Sequence, residues 1–290
     1  MRFLYILFLS VAGFLMMPID AESSSAPEVT LSSKEMARGD VILLKIRAGI
    51  EETPRITWME KEIPLVYSKT GAAWHGFLPA DLNQKKGTYR AIVRVPSSGF
   101  EKTIDIRVND KDYGARNLTL PKEKVELDSE SLARVKEEAA VVNALWSAQA
   151  PAPVWKGAFL MPVDGDVVGT FGKRSVINNL ERSPHTGVDQ KGNAGTPVKA
   201  INNGRVILIA DHFFTGNSIF LDHGGGIISM YFHLNKVLVS EGDTVLKGQA
   251  IGLVGATGRV TGPHLHWGVR VNGARVNPLI LIDLSRGLEE

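Results

Sequence analysis

The chain has 290 residues, more than one ordinary domain, and its 44% hydrophobic and 22% charged content is typical of a globular protein. Its formal net charge of +2 is too small to indicate nucleic acid as a partner. The absence of cysteine excludes disulfides and a lipid-modified N-terminal cysteine. We therefore expect two domains and a connector that are stabilised without covalent cross-links.

The N-terminus has the features of a secretory signal peptide. Met1-Arg2 gives a positive start, the run Phe3 to Met17 is almost wholly apolar, and Ile19-Asp20-Ala21 ends with a small residue. Residues 1–21 are thus predicted to be a signal peptide, with export to the periplasm or medium and no stable membrane span after cleavage. The alternative is an uncleaved anchor, because about 15 to 17 apolar residues approach the lower limit for spanning a bilayer.

Residues 28–110 are predicted to form a small β-sandwich of immunoglobulin-like type, with seven strands between Val29 and Val108. The last two predicted strands alternate between apolar and charged residues, which favours strands with one buried face. The apolar positions are Tyr89, Ala91, Val93 and Val95, then Ile104, Ile106 and Val108. Trp58 and Trp74 are expected to be core aromatics, as is Tyr89, rather than a sugar-binding platform.

Residues 111–157 are predicted to be a connector that contains one amphipathic helix. Apolar residues recur at intervals of three and four, Asp128 or Ser129 can serve as N-cap, and Pro151 lies beyond the end. The stripe consists of Leu132, Val135, Ala139, Val142 and Trp146. One apolar stripe on a lone helix must find a partner surface.

Residues 158–284 are predicted to form an antiparallel β domain, because β-branched runs alternate with glycine-containing turns. The runs are 198–200, 206–210, 218–222, 227–233, 250–254 and 264–271. The overall fold class is therefore mainly β.

Five residues of this last domain can build a metal-dependent hydrolytic site. His185 and Asp189 lie in an HTGVD run, His233 in YFH, and His264 and His266 in HLH. Residues i and i+2 of a strand project from the same face, so His264 and His266 should point into one cavity. The segment from His185 to Asp189 is expected to be extended or looped, since Thr, Gly and Val are poor helix formers.

The segment from about Met161 to Pro278 resembles the M23 family of zinc metallopeptidases, the lysostaphin and LytM type of peptidoglycan endopeptidase. The motifs that carry the resemblance are Thr170-Phe171-Gly172-Lys173-Arg174, His185-Thr186-Gly187-Val188-Asp189, Tyr231-Phe232-His233-Leu234 and Gly262-Pro263-His264-Leu265-His266-Trp267. The resemblance implies that His185, Asp189 and His266 hold one Zn²⁺ ion. It also implies that His233 and His264 are the catalytic pair, without deciding which one is the general base.

The activity implied is hydrolysis of amide bonds in the stem or cross-link peptides of peptidoglycan by a metal-activated water. One alternative is a non-catalytic LytM-like regulator of a wall amidase, or a wall-binding module. Another is a secreted lysin directed at polyglycine bridges. A third is a carrier domain, because the hairpin of residues 239–249 resembles those of biotinyl and lipoyl carriers; Lys236 and Lys247 do not occupy the turn that such carriers modify.

The expected roles of several further residues stay open at this point. Arg174 can pair with a substrate carboxylate or be a surface salt-bridge residue. Asn178 and Asn179 can contact peptide or cap a loop, and Gly172 should permit a turn beside the cleft. Tyr231 and Thr261 are candidates for the groove lining. His75, His212 and His223 are expected to be surface or hydrogen-bonded core histidines.

The connector helix can be interpreted in two ways. It can simply pack against one of the two domains. Alternatively, the helix or the sandwich partly covers the catalytic groove and restrains activity.

Overall fold

The computed structural model describes residues 26–48, 53–119, 127–146 and 152–288. The predicted signal peptide, residues 1–21, lies outside the described residues. The protein is mostly β, with 47% strand and 10% helix, which confirms the predicted fold class. Neither helix within the described ranges is long and apolar enough to cross a membrane.

The N-terminal part has two sheets that pack around one core, as expected for a β-sandwich. Strands β1, β3, β7 and β6 form one sheet, and β2, β9, β8, β4 and β5 form the other. The bounds are β1 Glu28–Leu31, β2 Glu35–Ala37, β3 Val41–Arg47, β4 Arg55–Trp58, β5 Lys61–Glu62, β6 Val66–Ser68, β7 Ala73–Pro79, β8 Gly87–Val95 and β9 Phe100–Asn109.

The described strands here number nine rather than the predicted seven, because strands of two or three residues are too short to show alternation. The alternation in β8 and β9 is confirmed, since Ala91, Val93 and Ile106 are fully buried. Trp58 is also in the core, and its indole N–H donates to the carbonyl of Pro79 over 2.7 Å. An immunoglobulin-like strand order stays a prediction.

The connector contributes one strand and one helix. Strand β10 (Ala115–Leu118) precedes helix α1 (Ser129–Leu145). Asp128 is the N-cap, and its carboxylate accepts a hydrogen bond from the backbone N–H of Ser131 over 2.7 Å. None of the helix residues is fully buried, so the predicted apolar stripe packs only lightly against its neighbours.

The C-terminal part is one large sheet with a small hairpin beside it. The bounds are β11 Val167–Gly169, β12 Arg174–Ile177, β13 Leu180–Arg182, β14 Gly187–Lys191, β15 Pro197–Lys199, β16 Gly204–His212, β17 Gly216–Asp222, β18 Ile227–Val237, β19 Thr244–Val245, β20 Ala250–Val254, β21 His264–Val271, β22 Ala274–Val276 and helix α2 Pro278–Ser285.

The order of the main path in this large sheet is β11-β14-β21-β18-β17-β16-β19. The antiparallel neighbours β14, β21 and β18 lie at its centre and carry four of the five candidate site residues between them. The hairpin of β12 and β13 instead pairs with β10, which runs parallel to β12. The segment just before His185 is therefore linked to the connector.

The two halves share an apolar core and a strong ion pair. Phe77 and Leu82 of the N-terminal part belong to the same buried cluster as Trp155 and Phe159. The Arg275 guanidinium donates to both carboxylate oxygens of Asp81, over 2.6 and 3.0 Å. The two halves thus contact each other through both buried apolar side chains and a hydrogen-bonded ion pair.

Candidate active site

The site is assembled by the register of three adjacent strands. Asp189 on β14 lies opposite His266 on β21, and His266 lies opposite Phe232 on β18. His185 comes just before β14, in the extended or looped segment that the sequence predicts. His264 and His266 both approach the Asp189 carboxylate, at 3.8 and 3.0 Å, which confirms that they face one cavity.

Three ligand atoms converge at the predicted metal site. His185 Nε2 lies 2.9 Å from Asp189 Oδ1 and 2.9 Å from His266 Nδ1, and the third side of this triangle is 3.0 Å. Two imidazole nitrogens and one carboxylate oxygen in such a triangle match the donor set of a catalytic zinc site with an open coordination position. Among the residues that the structure describes, this is the group suited to hold a metal ion.

The hydrogen bonds of His185 provide a test of whether the group fits a cation. Its Nδ1 lies 2.9 Å from the carbonyl oxygen of Thr170, which can only accept, so Nδ1 carries a proton. Its Nε2 is then the ring atom that faces Asp189 Oδ1 and His266 Nδ1. These three atoms can all act as metal donors once the two ring nitrogens among them carry no proton, so the residues fit a zinc ion.

The charge states at the site also favour a bound cation. Burial raises the pKa of Asp189, but hydrogen bonds and charge from His185 and His266 outweigh burial and hold this pKa well below its usual range. Burial lowers the pKa of His266, which favours the neutral ring. An ionised carboxylate and a neutral imidazole are the forms that bind a metal.

His233 and His264 are oriented alike by backbone carbonyls. His233 Nδ1 lies 2.9 Å from the carbonyl of Thr257, and His264 Nδ1 lies 2.9 Å from that of Gly262. Each ring therefore keeps its proton at Nδ1 and presents the lone pair of Nε2. The ring centroids are 5.1 Å apart, so both rings can act on one bound molecule.

His233 has a left-handed backbone conformation and a lowered pKa. Its φ is +64°, in the left-handed region that disfavours side chains, and strain of this kind is concentrated at functional sites. Burial lowers the pKa of His233 to about 4, so the ring is neutral near pH 7. A neutral ring can accept a proton from water.

Two glycines leave room for the ligands. A Cβ at Gly169 would lie 2.1 Å from Asp189 Oδ2, and one at Gly187 would lie 2.3 Å from the carbonyl oxygen of Trp267 and 2.8 Å from His266 Nε2. The ring of His266 also stacks on Phe232, with an interplanar angle of 6°. The close backbone approach at these glycines and the ring of Phe232 thus constrain the side chains of Asp189 and His266, two of the candidate ligands.

The histidines open into a cleft of about 690 Å³. His185, His233 and His266 line this cleft, and Phe214 and Phe232 add apolar surface. The connector contributes Leu127 and Leu132 to the same lining. A cavity of this size suits a short extended peptide.

The structure also shows the surroundings of residues whose roles the sequence left open. Arg174 lies 4.0 Å from Glu181 and does not line the histidine cleft; it lines a small adjoining cavity that shares Arg182 with that cleft. Asn178 and Asn179 form the turn of the β12–β13 hairpin, with φ values of +52° and +63°. Gly172 has a φ of +82°, and a Cβ there would meet the ring of Tyr113 from the connector.

The expectation that Tyr231 lines the groove is wrong. Tyr231 is fully buried, and its hydroxyl accepts from the N–H of Ile201 over 3.1 Å. His223 is a hydrogen-bonded core residue, as predicted, with Ser229 Oγ 2.7 Å from Nε2. His75 and His212 are buried too.

Sequence reasoning missed the groups that orient the histidines and part of the cleft wall. The carbonyls of Thr170, Thr257 and Gly262 have no side-chain signature, so nothing in the sequence could reveal them. Arg182 and Arg259 line the cleft and were equally unforeseen. Their positions in the sequence were the one available signal, because Arg182 lies three residues before His185 and Arg259 lies five residues before His264.

Comparisons with known proteins agree with this geometry. The sequence profile described as peptidase family M23 matches residues 183–278. The chain is 44% identical over 97 residues to the peptidoglycan DD-endopeptidase ShyA of Vibrio cholerae, which is 33% of this chain and 23% of that protein. It is 42% identical over 95 residues to the DD-carboxypeptidase/endopeptidase Mpg of Neisseria meningitidis, 33% of this chain and 22% of that protein.

The match to these curated relatives thus spans less than a quarter of their length. A crystal structure from Pseudomonas aeruginosa assigned to peptidase M23 aligns more completely. The likeness covers 86% of this chain and 95% of that one, with 33% identity and a TM-score of 0.68. Because that alignment takes in nearly the whole of a similar protein, the chain belongs to peptidase family M23.

Proposed function

We propose that this protein is an exported zinc-dependent endopeptidase that hydrolyses amide bonds in the stem or cross-link peptides of peptidoglycan. The observation that carries the proposal is the triangle of His185 Nε2, Asp189 Oδ1 and His266 Nδ1, with sides of 2.9 to 3.0 Å, beside two further histidines. The names of ShyA and Mpg support the substrate class. Export is supported by the predicted signal peptide and by the location of such a substrate.

In this proposal His185, Asp189 and His266 hold one zinc ion. When bound, zinc supplies Lewis-acid chemistry to a carbonyl and lowers the pKa of water. His233 and His264 both present an Nε2 lone pair. One ring would accept the proton of the attacking water. The other ring, once protonated at Nε2, would donate a hydrogen bond to the substrate oxygen on which negative charge develops. The two rings have equivalent hydrogen bonds, so either assignment of these roles fits.

A non-catalytic LytM-like regulator or wall-binding module is the runner-up. Such a protein does not need a complete set of metal-binding and proton-accepting groups. Here three histidines surround one carboxylate, a fourth lies beside them, and both glycines that make room for the ligands are in place. The geometry therefore favours an active hydrolase.

Digestion of purified sacculi tests the function directly. Wild-type protein is compared with His266→Ala, with and without chelator, and the released products are identified by mass. We expect soluble peptide products from the zinc-loaded wild type, and activity lower by at least about 100-fold for the variant and the chelated protein.

His75→Gln, a histidine of the sandwich, is the matched control and should keep full activity and zinc content. Equal product release in all arms would refute zinc dependence, and no release by zinc-loaded wild type would refute the hydrolase. The product masses name the bond that is cut.

We further propose that helix α1 partly covers the groove and restrains activity. Arg134 donates to the carbonyl of Asp211 over 2.7 Å, and both carboxylate oxygens of Glu138 accept from the N–H of Phe213 over 3.0 Å. These contacts support the proposal because the next residues, Phe214 and Thr215, line the cleft, as does Leu132 of the helix.

A further inference from the structure

Two arginines line the cleft beside the histidines. Arg182 ends β13, and Arg259 lies in the loop between β20 and β21. Both side chains are exposed. Apart from the histidines, they are the charged side chains that line this cleft within the described part of the chain.

Neither arginine has an internal anion to neutralise it. No hydrogen bond or ion pair joins either guanidinium to another residue in the described ranges, whereas Arg275 is paired with Asp81. Burial and then the nearby charge of Arg182 lower the pKa of Arg259. Two like charges facing one cleft repel each other, and a bound anion would relieve this repulsion.

The guanidinium of Arg259 is positioned before any ligand binds. Its Cζ lies 4.1 Å from the ring centroid of Phe214, and its backbone N–H donates to the Phe214 carbonyl over 2.9 Å. The preceding Gly258 has a φ of +73°, and a Cβ there would lie 2.5 Å from the backbone nitrogen of Gly216. A guanidinium stacked on an aromatic face keeps its edge N–H groups free.

We propose that Arg182 and Arg259 bind a free carboxylate of the peptide substrate and thereby select carboxylate-bearing peptides over uncharged ones such as polyglycine. This inference rests on the proposed function. A carboxylate suits the site because the guanidinium fork binds it through two parallel hydrogen bonds. The apolar surface of Phe214 and Phe232 lies beside the arginines for the uncharged part of the peptide.

Steady-state kinetics on a pair of peptides tests the proposal. The two substrates are one cross-linked stem-peptide dimer with free carboxylates and the same dimer with those groups amidated. Zinc-loaded wild type is compared with Arg182→Gln, Arg259→Gln and Arg259→Lys in the full chain. Arg174→Gln is the matched control, since Arg174 lies on the same hairpin but lines another cavity.

We expect wild type and Arg174→Gln to favour the free acid in kcat/KM by roughly tenfold, the effect of one charge-assisted hydrogen bond. Both glutamine variants should lose this preference through a higher KM for the acid, with little change for the amide. Arg259→Lys should keep part of it. A folding defect would lower turnover of both peptides together, so the ratio separates the two effects.

Wild type that cleaves both peptides without preference overturns the carboxylate site and leaves the hydrolase intact. So does a preference that survives in both glutamine variants. Wild type that cleaves neither peptide nor sacculi overturns the proposed function and this inference with it.

Discussion

The seven histidines of the chain lie in two kinds of environment. Four approach the Asp189 carboxylate or its immediate neighbours, and the other three are buried elsewhere, in the sandwich and along the central sheet. His223 is the most buried of the second group and has both ring nitrogens hydrogen-bonded. Its charge state therefore affects stability rather than catalysis.

Burial lowers the pKa of His223 to about 4, below the value of about 6.5 in an unfolded chain. Between these values the unfolded state binds more protons than the folded state, so the free energy of unfolding falls as pH falls from about 6.5 to 4. The full loss is on the order of 3 kcal/mol. Urea denaturation at pH 7 and pH 5, with excess zinc, should show this decline.

The variant His223→Gln is the appropriate comparison, because it removes the titrating group whatever it does to stability at pH 7. Its unfolding free energy should change less between pH 7 and pH 5 than that of wild type. Identical pH slopes for the two proteins would show that His223 is not responsible.

Residue types, short spacings and the family resemblance pointed to five candidate site residues, and the structure brings these five close together, but the sequence did not reveal their fine geometry. The HLH spacing places two rings on one face of a strand whatever the rest of the fold is. The left-handed backbone of His233 and its bond to the Thr257 carbonyl depend on a loop 24 residues away. Such contacts follow from tertiary packing, which the sequence alone does not display.

At the scale of elements, helix α1 and the turn that follows β16 are coupled. Glu138 and Arg134 bind the backbone of residues 211 and 213, and the Thr215 carbonyl in the same turn accepts from the N–H of His233 over 2.8 Å. Only a short stretch of turn therefore separates the helix from a residue in direct contact with His233, one of the two proposed catalytic histidines.

Replacing Arg134 and Glu138 together by alanine should detach the helix from the turn and open the cleft. We expect kcat/KM on sacculi to rise about threefold to tenfold, since the hydrogen bonds that these two side chains make are few and partly exposed. The measurement is product release by the zinc-loaded full chain. Glu137→Ala, on the exposed face of the same helix, is the control.

Unchanged or lower activity in the double variant would argue against restraint by α1.

Point variants are preferable to deletion of residues 22–150. Such a deletion would expose the core around Trp155 and Phe159 by removing Phe77 and Leu82, each of which stabilises by about 1.5–3 kcal/mol on burial.

Helix α1 was largely predictable, because a capping residue and the spacing of apolar residues are both properties of the local sequence. Its start at Ser129 after the Asp128 cap is confirmed, and its end at Leu145 precedes the expected Trp146 by one residue. The sequence could not show that this stripe packs lightly, since burial depends on the partner surface. Strands of two or three residues were missed for a related reason: pairing with a distant strand, not alternation, defines them.

At the scale of the whole molecule, the Asp81–Arg275 pair fastens the two halves together. The side chains are only 27% and 22% exposed, and Asp81 also accepts from the backbone N–H of Arg275 over 2.9 Å. Burial opposes ionisation of Asp81, but the hydrogen bonds from Arg275 outweigh it and lower the pKa. Breaking the pair would leave a partly buried guanidinium unpaired.

Asp81→Asn should therefore lower the free energy of unfolding by roughly 1–3 kcal/mol, as measured by denaturant titration. Asp105→Asn is the control, because Asp105 faces Arg90 at 3.6 Å on the solvent side of the sandwich. Its stability should change little. If both variants matched wild type, the ion pair would not contribute to holding the halves together.

The domain division predicted from strand and helix patterns does not describe how the parts pack together. The predicted boundary at residues 110 and 111 separates a sandwich from a connector, yet Phe77 and Leu82 are buried with residues of the C-terminal part. A sequence pattern shows which residues are apolar but not which distant segment covers them. The predicted boundaries stay predictions for this reason.

The parallel pairing of β10 with β12 has a mechanical consequence. The polypeptide that leaves the sandwich is hydrogen-bonded along the strand that begins at Arg174, and the hairpin then leads directly to His185. Alongside the shared core and the Asp81–Arg275 pair, this pairing links the N-terminal half to His185, one of the three candidate metal ligands, within a few residues. A load applied to the sandwich would therefore reach the loop that carries His185 through this strand pair.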